Sequence, residues 1–392
     1  ADSHVLGWVI QTAEATHAEL PKPRQPELYN LNSGLAPQQG QHEKPWLDTS
    51  DKAEAAFVKA MGGHSLSESD QVGEHYRYFR MSETAEQELK RATNELHLMF
   101  MHATQAVLQH DELLERFNIP RALWPRLRKS WENRRGQMIT GRFDFCVSER
   151  GVKVYEYNAD SASCHMEAGR VQGKWAQHFG VTEGEDSGAG IAGALVSAWR
   201  EAGVQGVLHI MQDNDQEEAY HAQFMRAAAE SAGISCKVLK GLTGLGWNQA
   251  GEIIDPDGTP IRFVWKTWAW ETALDQIRAE CEDDDSHPVL RSADDAHPSP
   301  RLVDVLLRPD IVVFEPFWTL IPSNKAILPV LWQIFPDHPY LLESQFQLTR
   351  ELRASGYVSK PIAGRCGYNI SLVDKERAVL TETAGQFDDQ QQ

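Results

Sequence analysis

The stretch "GRFDFCVSERGVKVYEYN", Gly141 to Asn158, constrains this chain more than any other. Two runs rich in aromatic and β-branched residues flank Glu149-Arg150-Gly151. That combination specifies an antiparallel hairpin with glycine in the left-handed position of a three-residue loop. Ser148 then faces Val152, and the remaining register follows from the alternation of side chains. Phe143 falls opposite Tyr157, and Phe145 opposite Tyr155, on a face suited to packing. Arg142 falls opposite Asn158, and Asp144 opposite Glu156, on the other face. A slip of one residue would exchange the two faces.

Like charges directly opposite one another are destabilising unless something lies between them. A hard divalent cation with oxygen ligands resolves the conflict, and Mg²⁺ commonly combines one or two carboxylates with substrate phosphates. The alternative is a solvated hairpin whose acids simply lie near Arg142.

The 392 residues are enough for two or three domains, and 41% hydrophobic residues with 12 tryptophans provide a sizeable core. A net charge of −18 argues against nucleic acid as a partner and favours approach of a cationic small molecule, although plain solubility accounts for most such charge. Five cysteines at 146, 164, 236, 281 and 366 show no metal spacing and read as reduced thiols of a cytoplasmic protein. No apolar run approaches the roughly 18 residues of a membrane span. The N-terminus is not a secretory signal and lacks methionine, so the chain reads as a processed or excised fragment.

Residues 21 to 50, rich in Pro, Gln, Asn and Gly, read as an irregular segment or linker. From Ser82 a long helix is expected, with Leu89, Ala92, Leu96, Met99, Ala103 and Val107 on one face. After the hairpin, βαβ-like signals follow. "GVLHIMQ" (206–212), "SCKVLKG" (235–241), the start of "IRFVWKTWAWET" (261–272) and "DIVVFEPFW" (310–318) read as strands. "YHAQFMRAAAESAG" (220–233) and "NKAILPVLWQIF" (324–335) read as helices, and residues 281–300 as an acidic loop. "GYVSKPIAGRCGYNISLV" (356–373) reads as strand, glycine loop, strand.

No GxxxxGK[ST], GxGxxG, HExxH or GxSxG motif occurs. "KPIAGRCG" (360–367) offers glycines for close backbone approach to a phosphate, with Lys360 and Arg365 for charge, or is a tight β-turn. Lys325 is either a phosphate ligand or a first-turn helix lysine. Adjacent Cys164 and His165 raise a thiol nucleophile, but such pairs are usually distant in sequence and need an orienting group. Ser161 and Ser163 more simply offer hydroxyl and N–H groups to an anion. The tryptophans of "WKTWAWET" read as core, while Thr267 and Thr272 can reach a ligand.

At "GRFDF", "VYEYNADSASCH", "WKTWAWET" and "KPIAGRCG" the chain resembles the synthetase domain of glutathionylspermidine synthetase and trypanothione synthetase, from about Leu6 onward. The resemblance implies a mixed α/β, ATP-grasp-type fold, glutathione-synthetase-like, whose subdomains clamp ATP. It implies an ATP-dependent C–N ligase joining the glycine carboxylate of glutathione to an amine of spermidine, or of glutathionylspermidine. The cofactor is Mg²⁺, two or more ions, with ATP as co-substrate. Asp144, Glu156 and Asn158 would be the Mg²⁺ ligands, and Arg142 would hold the transferring phosphate. Ser161, Ser163, Glu217, Glu218 and Thr272 would line the glutathione side. Lys325, Lys360, Arg365, Cys366 and Gly367 would hold ATP. Residues 1–78 would be an N-terminal segment packed on a synthetase domain of residues 79–392. Family chains usually carry an upstream amidase domain and continue beyond the position of Gln392. The chain is therefore expected to lack both. The alternatives are a catalytically incomplete nucleotide- or glutathione-binding module, and a metal-dependent ATPase.

Overall fold

An antiparallel ribbon of β1 (Leu31–Leu35) and β2 (Arg77–Met81) flanks helix α1 (Lys52–Met61) in the sequence. The computed structural model describes residues 31–38, 45–61, 76–134, 136–280, 290–294, 299–364 and 368–384. Helix α2 (Glu83–Gln109) begins where Ser82 caps it, the hydroxyl accepting the Ala85 N–H at 3.2 Å. All six apolar positions read from its sequence are buried. Short helices α3 (Asp111–Leu114) and α4 (Trp124–Glu132) lead to the hairpin of β3 (Arg142–Ser148) and β4 (Gly151–Asn158).

The inner half of the hairpin has the expected register: Arg142 opposite Asn158, Phe143 opposite Tyr157, and Asp144 opposite Glu156. The outer half differs. Phe145 pairs with Val154 rather than Tyr155, and Ser148 pairs with Gly151, because a bulge follows Asp144. Tyr155 is the extra residue, left 43% exposed instead of packing with Phe145. The cause is tertiary. A passing segment pairs with the outer half of β4, Val154 N–H donating to Tyr340 C=O at 2.9 Å and Lys153 Nζ to Leu341 C=O at 3.1 Å. Gly151 adopts φ +89°, the left-handed conformation expected at the turn. On the packed face Phe143 stacks on Tyr157 with centroids 3.8 Å apart, and both meet Phe100 of α2 edge-on.

Helices α5 (Gln172–His178) and α6 (Ile191–Glu201) follow. Then β5 (Val207–Gln212), α7 (Gln216–Ser231) and β6 (Ser235–Lys240) build a parallel unit, with Gly233 at φ +92° after the helix. A small pair, β7 (Gly246–Trp247) and β8 (Ile253–Ile254), precedes β9 (Phe263–Lys266), α8 (Trp270–Glu280), α9 (Leu302–Leu306) and β10 (Val312–Phe314). The sheet order is β10-β9-β5-β6, every neighbouring pair parallel. Its two central strands, β5 and β9, are largely buried, as parallel strands covered by helices require. Helices α10 (Leu320–Ser323), α11 (Ile327–Ile334) and α12 (Arg350–Ser355) lead to an antiparallel sheet of β11 (Tyr357–Ser359), β12 (Ser371–Val373) and β13 (Val379–Glu382). The fold is mixed α/β.

The aromatic contact of α2 with the hairpin generates a prediction. Phe100 is fully buried. Phe100→Ala should lower unfolding free energy by about 3–5 kcal/mol, measured by urea denaturation.

Candidate active site

The polar face of the hairpin is assembled as the alternation requires. Arg142 lays its guanidinium fork along Asp144, Nε to Oδ1 at 2.7 Å and Nη2 to Oδ2 at 3.1 Å. Its remaining arm, Nη1, donates to the Ser163 hydroxyl at 2.9 Å and lies 3.7 Å from the Cys164 sulfur. Glu156 is paired from outside the hairpin by Lys325 Nζ at 3.1 Å. The Asn158 amide lies between the acids, Nδ2 being 3.4 Å from both Asp144 Oδ2 and Glu156 Oε1.

The two carboxylates are electrostatically unlike. Burial and the neighbouring Glu156 charge raise the Asp144 carboxyl above its ordinary value, despite Arg142. Burial also works against Glu156, but Lys325, aided by Asp144 and Lys360, brings it down to about 2. Arg142 loses solvation on burial yet is held more firmly charged by Asp144. Lys360 is lowered by burial and by Lys325, while Glu156 opposes the shift. Its ammonium lies 5.3 Å from the centre of the Tyr155 ring.

An oxygen-seeking cation fits this donor set. Two carboxylate oxygens converge on one amide, and turning that amide over would replace its NH₂ by Oδ1 without moving the side chain. Among the described residues, no group of three His, Cys, Asp or Glu side chains is placed to hold a metal ion.

Beyond β4, the loop 159–164 carries the serines. Ser161 and Cys164 adopt φ +43° and +74°. One π-helical turn, Glu167–Val171, follows. His221 of α7 packs under this loop, its Nε2 3.4 Å from both the Cys164 N–H and Glu167 Oε2, and its Nδ1 3.6 Å from Glu218 Oε2. Burial opposes its charge, but the two carboxylates raise it to about 9. Through His221, Glu218 is connected to the backbone N–H of Cys164, next to Ser163. Exposed Glu217 follows the Asp215 cap in the first turn of α7, its carboxyl raised by burial and by Asp215. Thr272 is exposed in the first turn of α8. Lys325 anchors the glycine loop, its N–H donating to Ile362 C=O at 2.7 Å and Nζ to Gly364 C=O at 3.0 Å. Arg365, Cys366 and Gly367 lie outside the described residues.

Residues 44–392 match the family described as glutathionylspermidine synthase preATP-grasp. The chain belongs to this family. It is 49% identical over 392 residues to the bifunctional glutathionylspermidine synthetase/amidase of Escherichia coli, covering 99% of this chain and 62% of that protein. Over 352 residues it is 40% identical to trypanothione synthetase of Crithidia fasciculata, covering 87% of this chain and 52% of the relative. Glutathionylspermidine synthase of the same organism is 32% identical over 363 residues, covering 84% and 48%. The chain thus spans about three-fifths or less of the length of these relatives.

Cys164 and His165, adjacent in sequence, diverge. His165 is buried against Thr140, Nε2 to Oγ1 at 2.8 Å, and burial drives it down to about 3. Cys146 and Cys236 are free thiols. No described helix is long and apolar enough to cross a membrane.

Sequence reasoning assigned no role to the buried charges behind the site. Lys266 ends β9, Glu315 directly follows β10, and Asp160 follows β4. Both β9 and β10 terminate at the carboxyl edge of the parallel sheet, where ligands of open α/β sheets bind. Their signal was a charged residue closing an apolar run, with no indication of the partner. Glu315, at φ +28°, accepts the N–H groups of Ile139 and Thr140, both at 2.8 Å, and so fixes the approach to β3.

Burial raises the Glu315 carboxyl to about 7 against those two N–H groups and Lys266. The folded protein therefore retains a proton that an ordinary unfolded glutamate releases, and stability falls as pH rises through the interval between the two values. Glu315→Gln keeps an acceptor for both N–H groups and removes the titration. Its melting temperature should fall less than that of wild type between about pH 5 and about pH 8, measured by calorimetry.

Proposed function

We propose that the chain is the synthetase part of an ATP-dependent carboxylate–amine ligase. It would join the glycine carboxylate of glutathione to an amine of spermidine, or of glutathionylspermidine to give trypanothione. Family membership supports the reaction class. The observation that carries the reading is the Arg142 fork, which spans from the Asp144 side of the hairpin to the serine loop. One guanidinium thereby touches both the metal-side acids and the loop proposed to receive the peptide.

A carboxylate does not acylate an amine at neutral pH because its oxygen is a poor leaving group. Attack of the glycine carboxylate on the γ-phosphorus of ATP expels ADP and leaves an acyl phosphate. The amine then attacks the acyl carbon, phosphate departs, and the amine proton is lost. Arg142 would stabilise charge on the transferring oxygens. Lys325 and Lys360 would hold the polyphosphate, with Lys325 exchanging Glu156 for phosphate oxygen. Asp144, Glu156 and Asn158 would hold Mg²⁺, which when bound neutralises phosphate charge. Ser161, Ser163 and Thr272 would contact glutathione, and Glu217 and Glu218 would provide carboxylates for an ammonium group. Arg365, Cys366 and Gly367 complete the proposed nucleotide loop. The same reading keeps the division into residues 1–78 and 79–392, and places an amidase domain upstream in the whole protein.

The test is ADP release by the full-length protein, which should require both glutathione and the polyamine. Release indifferent to the amine would make the chain an ATPase, and binding without turnover a binding module. Glu156→Ala should abolish Mg²⁺-dependent ligation while its melting temperature stays within a few degrees of wild type. Retained turnover at saturating Mg²⁺ would remove the metal role. Arg142→Lys should lower kcat on the order of 10²–10³-fold with little change in KM, because a point charge cannot reproduce the planar fork. A variant within a few-fold of wild type would reduce Arg142 to a counter-charge.

A further inference from the structure

Ser161 and Cys164 sit in backbone conformations that non-glycine residues keep only where their surroundings impose them. In the loop that holds them, Asp160 is buried and engaged on every side. Oδ1 accepts Lys266 Nζ at 2.6 Å, and Oδ2 accepts the Trp270 N–H at 2.6 Å. Its own N–H donates to the Ser323 hydroxyl at 2.8 Å, an oxygen that also takes the Ala159 N–H at 3.0 Å. A loop carboxylate thus caps the N-terminus of a helix more than a hundred residues away.

Lys266 brings a third direction. Its side chain is 0% exposed, and Nζ also donates to Trp268 C=O at 2.9 Å. It ends β9, opposite Met211 of β5. From β5 the chain proceeds outward to β6 on one side, while β9 and β10 lie on the other, so Lys266 sits at the switch point of the sheet. The next residue, Thr267, accepts the Asp213 N–H at 3.2 Å and so holds the entry to α7. Trp270 Nε1 donates to Glu315 C=O at 3.0 Å, joining the approach to β3 to the same node.

We propose that Asp160 and Lys266 are positioning residues for the thiol tripeptide: their buried ion pair sets the Ser161–Cys164 loop, with Arg142 beside it, relative to Thr272 on α8 and Glu217 and Glu218 on α7. This rests on the ligase reading. Buried ion pairs contribute little net stability compared with apolar replacements of similar size. What this pair adds is direction, because Asp160 ties its loop directly to both the end of β9 and the first residue of α8, while Lys266 also holds the Trp268 carbonyl between them. The nucleotide side, at Lys325 and Lys360, is tied to the glycine loop by other contacts.

The experiment uses the full-length protein and the variants Asp160→Asn, Lys266→Met and the double variant. Either single change leaves an unpaired buried group and can fail to fold. The double variant removes both charges together and should melt close to wild type. Its kcat/KM for glutathione should fall by about 10- to 100-fold, through KM, while KM for ATP is unchanged. Alkylation of Cys164 by iodoacetamide, followed by mass spectrometry without any substrate, should accelerate as the loop is released. A folded double variant with wild-type KM for glutathione overturns the proposal. So does an equal rise in the KM values for ATP and glutathione, which would mark general damage. Absence of glutathione-dependent turnover in wild type overturns the ligase reading, and the substrate named here with it.

Discussion

Asp144 and Glu156 face each other across one narrow ribbon, and the site consists of what their repulsion demands. Each acid is matched by a cation from a different part of the chain. Arg142 comes from the same strand, two residues away. Lys325 comes from the segment between α10 and α11. The first pairing is local and forms with the hairpin. The second needs the helices behind it in place, and through Gly364 it also holds the glycine loop against the acids. The unequal carboxyl values follow: one acid is strongly ionised by its lysine, the other is raised by burial and by its neighbour's charge. Occupancy by an oxygen-seeking cation would replace protein counter-charge with a closer and stronger one.

Local pattern made much of this legible. The face of α2 followed from spacing, because one long amphipathic helix offers only one way to bury its stripe. The inner hairpin register agreed with the aromatic alternation, although the turn is one residue shorter than expected and the bulge after Asp144 makes up the difference. The outer half did not, since Tyr155 and Val154 both suit a strand and the choice between them was made by Tyr340, remote in sequence. The same limit hid Asp160 and Lys266. A lysine among tryptophans reads as an interruption of core until its partner is known. Cys164 and His165 show the converse: sequence neighbours can point to different environments, one toward Arg142 and the other toward Thr140.

The families of contacts around the loop differ in kind. On the Arg142 side they are partly solvated and can exchange partners when a ligand arrives. On the Asp160 side they are buried, and exchanging them would strand a charge in the core. Adaptable groups thus stand on the side of the proposed site while fixed groups stand behind them, an arrangement suited to precise alignment.

The strand order has a consequence for how such a chain is made. Synthesis runs from the N-terminus, and domains tend to form as they emerge. The hairpin and α2 can associate early, yet Asp160 waits through 106 further residues before Lys266 exists to meet it. Glu315, which holds the approach to β3, arrives still later. A nascent chain therefore exposes the loop 159–164 with an unpaired acid long after its neighbouring ribbon has closed. Contacts of such long range are slow to form. The loop proposed to receive the peptide thus takes its final shape well after the ribbon beside it.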